Sequence, residues 1–154
     1  MQSHMKIRGF KSEVWLPLAP AELFDFFSDA SNLHVLTPPW LHLRVLTPMP
    51  VEMKPGASID YRMRVHGLPV RWRTRITLWD PPHRFDDEQI IGPYRRWLHT
   101  HTFEKYDGGT NVCDLISYAV PLDFLTHRLF VRPDIEKIFG FRSHELTKRF
   151  SRRK

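Results

Sequence analysis

The chain has 154 residues, with 11 Phe, 5 Trp, 4 Tyr, one Cys and a formal net charge of +6. That length suits one domain able to bury about 70% of its unfolded surface. The lone Cys113 excludes an internal disulfide and a Cys-rich zinc site, and no apolar run approaches the ~20 residues of a membrane helix.

The N-terminus carries no apolar signal segment, so a cytoplasmic location is expected. Ser3, His4 and Met5 read as a cloning scar, with the natural chain starting at Met5. Residues 1–4 are therefore set aside and a single domain is expected over 5–154. Much of the positive charge sits at the end, in Lys148, Arg149, Arg152, Arg153 and Lys154, where cations complement a helix dipole. No helix-turn-helix, RNP or zinc-finger spacing accompanies it, so nucleic acid is not an expected partner.

Phe10 to Leu16 alternates and predicts a first strand. In PLAPAELFDFFSDASNLHVL, Pro20 suits the first helical position and Glu22 the first turn. Leu23, Phe24 and Phe27 form an apolar stripe, and Pro38-Pro39 stops any helix. Two short helices are predicted, over about 20–28 and 31–36.

From Leu41 to Leu122 the pattern is strand, turn, strand. LHLRVLTP alternates, two long strands flank Gly67-Leu68, and another runs to about residue 91 before Gly92-Pro93. Asp107-Gly108 is the strongest hairpin signal, since Asp-Gly suits a type I′ turn. Pro133 then opens a long helix, with Ile135, Ile138, Phe139, Arg142, Leu146 and Phe150 at helical spacing.

Turn chemistry sets register. A two-residue Asp107-Gly108 loop places Phe103 opposite Val112, His101 opposite Asp114, His99 opposite Ile116 and Trp97 opposite Tyr118. The Gly67-Leu68 turn places Met63 opposite Trp72, Tyr61 opposite Thr74 and Ile59 opposite Ile76. Arg62, Arg64, Arg71, Arg73 and Arg75 share the other face, which must lie outside. Ile59, Tyr61, Met63, Val65, Val70, Trp72, Ile76 and Leu78 therefore point in. An Asp80–His83 loop sets Arg75 against Glu88 and turns Phe85, Asp87, Gln89 and Ile91 inward. A three-residue Gly92–Tyr94 loop sets Asp87 opposite His99 and Gln89 opposite Trp97.

The inner face then carries Asp87, Gln89, His99, His101 and Asp114 among aromatics. An apolar wall with a few convergent polar groups is the pattern of a small-molecule pocket. Three readings of the histidines stay open. As a His-x-His pair they suit a metal only if Asp87 or Asp114 converges with them. As His101–Asp114 or His99–Asp87 they suit acid/base chemistry. As paired polar groups they satisfy one another and orient a ligand. No metal and no cofactor are expected.

This order of elements, with GASIDYRMRVHGLPVRWRTRI, PPHRFDDEQIIGPYRRWLHTHTF, YDGGTNVCDLISYAVPL and IFGFRSHEL, resembles the SRPBCC superfamily. That is the START-like or Bet v 1-like helix-grip fold, here of the bacterial cyclase/dehydrase or ligand-binding type. The resemblance runs from about Phe10 to Phe150. It implies an α+β fold: a curved, antiparallel seven-stranded sheet around a long C-terminal helix, two short helices between strands 1 and 2, and a cavity between sheet and helix. The superfamily includes lipid carriers, quinone-binding proteins and polyketide aromatase/cyclases, and it offers no universal catalytic motif.

The expected function is non-catalytic carriage or sensing of a hydrophobic small molecule: a lipid, a quinone or a polyketide-like aromatic. Tyr61, Met63, Trp72, Trp97, Phe103, Tyr118 and Phe139 would wall the ligand. Asp87, His99, His101 and Asp114 would orient its polar end, with Gln89 and Arg142 as further ligand-binding residues. The alternative is an aromatase/cyclase-type dehydrase with His101 and Asp114 as the catalytic pair. A third reading is an interaction module acting through the basic surface. The arginine face offers an anionic-membrane contact as a minor partner. Oligomeric state is not fixed by the sequence.

Overall fold

The computed structural model describes residues 4–151, so Ser3 of the expected scar and Arg152, Arg153 and Lys154 of the basic end lie outside the described residues. Strand β1 (Arg8–Leu16) leads into helix α1 (Pro20–Ser28), which starts on Pro20 and buries Leu23, Phe24 and Phe27. Asp29 accepts a hydrogen bond from the Ser31 amide and opens a 3-10 turn, Ala30–Asn32. Helix α2 (Leu33–Leu36) follows and stops before Pro38. The expected strand in LHLRVLTP shrinks to β2 (Arg44–Val45), because Pro39–Leu41 closes a 3-10 turn and His42 adopts a positive φ.

Strands β3 (Ser58–Val65), β4 (Leu68–Asp80), β5 (Arg84–Ile91), β6 (Arg96–Tyr106) and β7 (Gly109–Ala119) complete an antiparallel sheet of seven strands. Its order is β1-β7-β6-β5-β4-β3-β2, so β1 crosses over to pair with β7 and every other contact is between chain neighbours. The C-terminal helix α4 (Arg132–Phe150) packs on the sheet through Ile135, Phe139, Leu146 and Phe150. This is the α+β helix-grip fold.

Register around Asp107-Gly108 is as expected: His101 lies opposite Asp114, His99 opposite Ile116 and Trp97 opposite Tyr118. Asp87 lies opposite His99, although pairing of β5 with β6 ends at Glu88 and Leu98 and the connecting loop is wider than three residues. The β3–β4 hairpin turns at His66-Gly67, not Gly67-Leu68. Both turn residues take positive φ, 51° and 76°, which a type I′ turn requires and which Gly, but not Leu, adopts without strain. Tyr61 therefore faces Trp72, and Met63 faces Val70. The pairing slips by two residues, an even number, so the inward and outward sets keep their faces. A bulge between Ile76 and Leu78 changes the faces beyond it. Trp79 comes to lie opposite Phe85 and packs on the core, where alternation predicted Leu78.

Two apolar clusters form. One gathers Leu16, Leu23, Phe24, Phe27, Phe85, Phe103, Val112, Leu146 and Phe150 with their neighbours. The other gathers Ile116, Tyr118, Val120, Ile135 and Phe139. Along β6 and β7, His99, His101 and Asp114 occupy the inward positions between these clusters. Each buried Leu, Ile or Phe contributes about 1.5–3 kcal/mol, and the polar residues interrupt that apolar wall.

A helical stretch absent from the sequence reading precedes α4. Helix α3 (Asp123–Thr126) runs into a π-helical turn, His127–Val131, and neither contains a buried residue. Arg8 of β1 holds this stretch through two bonds to Asp123, 2.7 and 2.8 Å.

Candidate functional site

Between the sheet, α2, the α3 stretch and α4 lies a cavity of about 1010 Å³. Its wall is mainly apolar: Leu33, Leu36 and Leu41 on the short-helix side, Ile59, Tyr61, Met63 and Trp72 from β3 and β4, and Ile135, Ile138 and Phe139 from α4. Tyr61 and Trp72 stack nearly parallel, with ring centroids 6.1 Å apart, and Trp97 meets Trp72 edge-on at 5.5 Å. The stack exists because the two-residue slip brings Tyr61 opposite Trp72.

One patch of this wall is polar. Thr74, Asp87, His99 and His101 line it from three adjacent strands, and Arg142 lines it from α4. His99, His101 and Asp114 are 7%, 5% and 4% exposed, so they depend on each other for hydrogen bonds. Backbone register sets His101 against Asp114 and His99 against Asp87, yet the short side-chain bonds take the diagonals. His99 Nε2 donates to Asp114 Oδ1 at 2.7 Å, and His101 Nε2 donates to Asp87 Oδ2 at 2.7 Å. The His101–Asp114 contact, expected as the acid/base pair, is the longer one, 3.4 Å through Nδ1, and the His99–Asp87 contact is 3.9 Å. Diagonal neighbours on adjacent strands lie within reach of long side chains. The two imidazoles stack with centroids 3.7 Å apart, and Phe85 stacks on the outer side of His101 at 4.1 Å.

Thr74 and Arg142 add further bonds to the network. The Thr74 hydroxyl donates to Asp87 at 3.0 Å. Arg142 donates to Asp114 at 3.2 Å and sits 3.4 Å from His101 Nδ1. Its guanidinium lies over Phe27, 5.0 Å from the ring centre. Arg142 reaches this place because it lies one turn after Phe139 on the buried stripe of α4.

Burial opposes charge on Asp114, but Arg142, with His101 and His99, outweighs it and holds the carboxyl well below the usual carboxylate range. Burial likewise opposes charge on Asp87, and the His101 bond with the nearby imidazoles lowers it all the same. The two histidines split. Burial and the neighbouring His101 depress His99 below an ordinary imidazole. His101 is raised: burial works against its charge, but hydrogen bonds to Asp114 and Asp87 win. Burial, and then the charge of Asp87, pushes the Tyr61 phenol well above its ordinary value, so it stays protonated. Two carboxylates held in the charged form, one guanidinium and an imidazole whose charged form they favour make a unit able to hold a proton at the cavity wall.

Asp87, His99 and His101 also bring one donor atom each within 4.8 Å of one another. Two imidazoles and a carboxylate are a metal-competent set in general. Here those groups bond to one another and to Asp114, and the Arg142 guanidinium adjoins them.

Of the residues expected to meet a ligand, Tyr61, Met63, Trp72, Asp87, Trp97, His99, His101, Phe139 and Arg142 line the cavity. Gln89, Phe103 and Tyr118 are placed elsewhere. The Gln89 amide clasps the Tyr94 backbone, donating to its carbonyl at 2.7 Å and accepting from its amide at 3.1 Å. Phe103 packs within the first apolar cluster against Phe24 and Phe27. Tyr118 is fully buried, and its hydroxyl bonds to His127 at 2.7 Å. Asp114 does not line the cavity but supports the imidazoles that do. Cys113 lies opposite Glu13 and Thr102 on the outer face of the sheet. Thr74 was not singled out by sequence reasoning, although alternation places it inward with Trp72 and Ile76.

The profile of a family described as polyketide cyclase / dehydrase and lipid transport matches residues 16–146. No curated protein matches the chain by sequence. Among solved structures, the chain is similar to the Zhui aromatase/cyclase from Streptomyces sp. R1128, at 15% identity and a TM-score of 0.73, covering 96% of each chain. It is similar to protein Ms6760 from Mycobacterium smegmatis at 17% identity and a TM-score of 0.70, covering 95% of this chain and 96% of that one. It is also similar to Ara h 8.0201 at 17% identity and a TM-score of 0.62, covering 93% of this chain and 99% of that one. At these identities the likeness is one of fold.

Proposed function

Because the chain belongs to the polyketide cyclase / dehydrase and lipid transport family, we propose that it is a non-catalytic carrier or sensor of a hydrophobic small molecule. The ligand class is a lipid, a quinone or a polyketide-like aromatic. It lies along the aromatic wall of Tyr61, Trp72 and Trp97, with its polar end toward Asp87, His99, His101 and Arg142. The observation that carries this reading is the cavity of about 1010 Å³, apolar except for that one patch. A volume of this size suits a small organic ligand, and convergent polar groups on an apolar wall fix its orientation.

A second reading is supported by one contact. His101 lines the cavity and bonds Asp87 at 2.7 Å, so a proton-transferring dehydrase would use that pair, with Asp114 as a positioning residue. One substitution separates the readings. His101→Asn leaves the affinity of a carrier nearly unchanged, whereas an enzyme loses about 10²–10⁴-fold in turnover.

The first experiment is native mass spectrometry of gently purified protein, with solvent extraction of anything bound. A reproducible organic mass supports the carrier reading and identifies the ligand class. Protein without added mass, unmoved in thermal shift by lipids, quinones and polyketide-like aromatics, would overturn it.

A further inference from the structure

The nine residues Leu122 to Phe130 carry five large apolar side chains, and all five are more than half exposed, from Phe130 at 53% to Phe124 at 81%. Soluble surfaces scatter such residues singly; a contiguous group marks a contact surface. The stretch touches the body of the protein through its half-buried residues Asp123, Thr126 and His127 and leaves the apolar ones outward.

The charges around it that lack a side-chain partner are basic. Its acidic residue, Asp123, pairs with Arg8 and Glu136 pairs with Arg132, while Asp134 is hydrogen-bonded to His66 at 2.8 Å. Lys6, Arg95 and Arg128 then remain among the described residues without an acidic partner, and Lys6 and Arg95 share a small pocket with Leu122 and Phe124. The stretch is also a rim of the cavity: Leu122, Thr126 and Phe130 line it. Phe130 meets His66 of the β3–β4 turn, which also lines the cavity, edge-on at 6.0 Å, and the nearby Leu68 is 68% exposed.

We propose that the Leu122–Phe130 rim is a membrane-docking surface that seats on an anionic phospholipid bilayer. Apolar side chains entering the headgroup–acyl boundary, flanked by cations that meet lipid phosphates, are the features of interfacial binding. Docking here sets the cavity mouth against the bilayer, so an apolar ligand exchanges without crossing water. The docking itself does not depend on what the cavity holds. The arginine face of the sheet is a different surface, on the side away from the cavity.

The test is co-sedimentation of the full chain with vesicles of phosphatidylcholine alone and of phosphatidylcholine with phosphatidylglycerol. The wild type is expected to bind the anionic vesicles and to bind the neutral ones at least tenfold more weakly. A Phe124→Ser/Leu129→Ser variant should weaken anionic binding tenfold or more with an unchanged melting temperature. An independent Leu125→Ser variant should act in the same direction, and Arg62→Glu/Arg71→Glu on the outer sheet face should leave binding within about twofold. Three results overturn the proposal: no binding by the wild type, loss of binding in the arginine variant but not the rim variants, or a rim-dependent dimer in light scattering without vesicle binding. Ligand-free protein that still docks would separate this proposal from the carrier reading.

Discussion

His101 and Asp87 are joined by a 2.7 Å hydrogen bond from Nε2 to Oδ2, although the residues opposite His101 are Phe85 on β5 and Asp114 on β7. His99 crosses in the opposite sense, from its place opposite Asp87 to Asp114. The two imidazoles, stacked face to face, thus tie β5, β6 and β7 along both diagonals. Arg142 adds α4 to the same unit through Asp114. A helix and three strands meet at one buried network.

Asp114 is the member of this unit with the most partners, since His99, His101 and Arg142 all lie within 3.4 Å of its Oδ1. Removing its charge leaves the largely buried Arg142 without an acidic partner, while His101 keeps only Asp87. Asp114→Asn is expected to cost about 3–5 kcal/mol. Urea denaturation at neutral pH measures it, and a loss below about 1 kcal/mol would mean that the groups act independently.

The opposite shifts of the two histidines give stability a two-sided pH dependence. His101 holds its proton more tightly folded than unfolded. Its contribution is complete below its unfolded pKa of about 6.5 and is lost as pH rises through the folded value. His99 holds its proton less tightly when folded. Its contribution is complete above about 6.5 and is lost as pH falls through the lowered folded value. Imidazole NMR titration should place the His101 midpoint above that of His99, and His101→Gln should remove the alkaline-side loss in denaturation. Midpoints in the reverse order would sink this assignment.

Sequence alternation and turn chemistry locate a face, and at this site they located it well. Asp107-Gly108 set His99, His101 and Asp114 inward, because an Asp-Gly loop leaves little freedom of register. The error at Gly67-Leu68 was harmless for the same reason of parity: a two-residue slip returns every side chain to its face. Alternation does not report position along a strand relative to the helices that cover it. Phe103 and Tyr118 face inward, but α1 covers one and His127 the other, so only the middle of the sheet borders the cavity. Nor does register choose between opposite and diagonal partners, which is why the His–Asp pairs were exchanged. PLDFLTHRLFV gave no helical period because nothing in it is buried deeply, and a period is the imprint of a buried face.

Phe103 distinguishes core from cavity. It is 2% exposed and meets Phe24, Phe27 and Phe85. Phe103→Ala is expected to cost about 3–5 kcal/mol in chemical denaturation. In folded protein its effect on ligand uptake should be small, because Phe103 does not line the cavity. A large change in bound mass with unchanged stability would return Phe103 to the ligand wall.

Met63 is the converse case. It is half-buried, lines the cavity from β3 and belongs to neither apolar cluster. Replacing it with Trp fills space that a ligand would occupy, while the larger side chain has room inside about 1010 Å³. Overpacking of a filled core typically costs about 1–3 kcal/mol. Here Met63→Trp should leave the melting temperature unchanged or raised, since added apolar surface is buried in open volume. The same substitution should reduce the mass that co-purifies with the protein. Solvent extraction of both proteins, side by side with a thermal melt, reads the two effects together. A lower melting temperature would mean that the wall closes on Met63 and that the cavity is narrower in solution. An unchanged bound mass would move the ligand away from β3, toward the α2 side of the cavity.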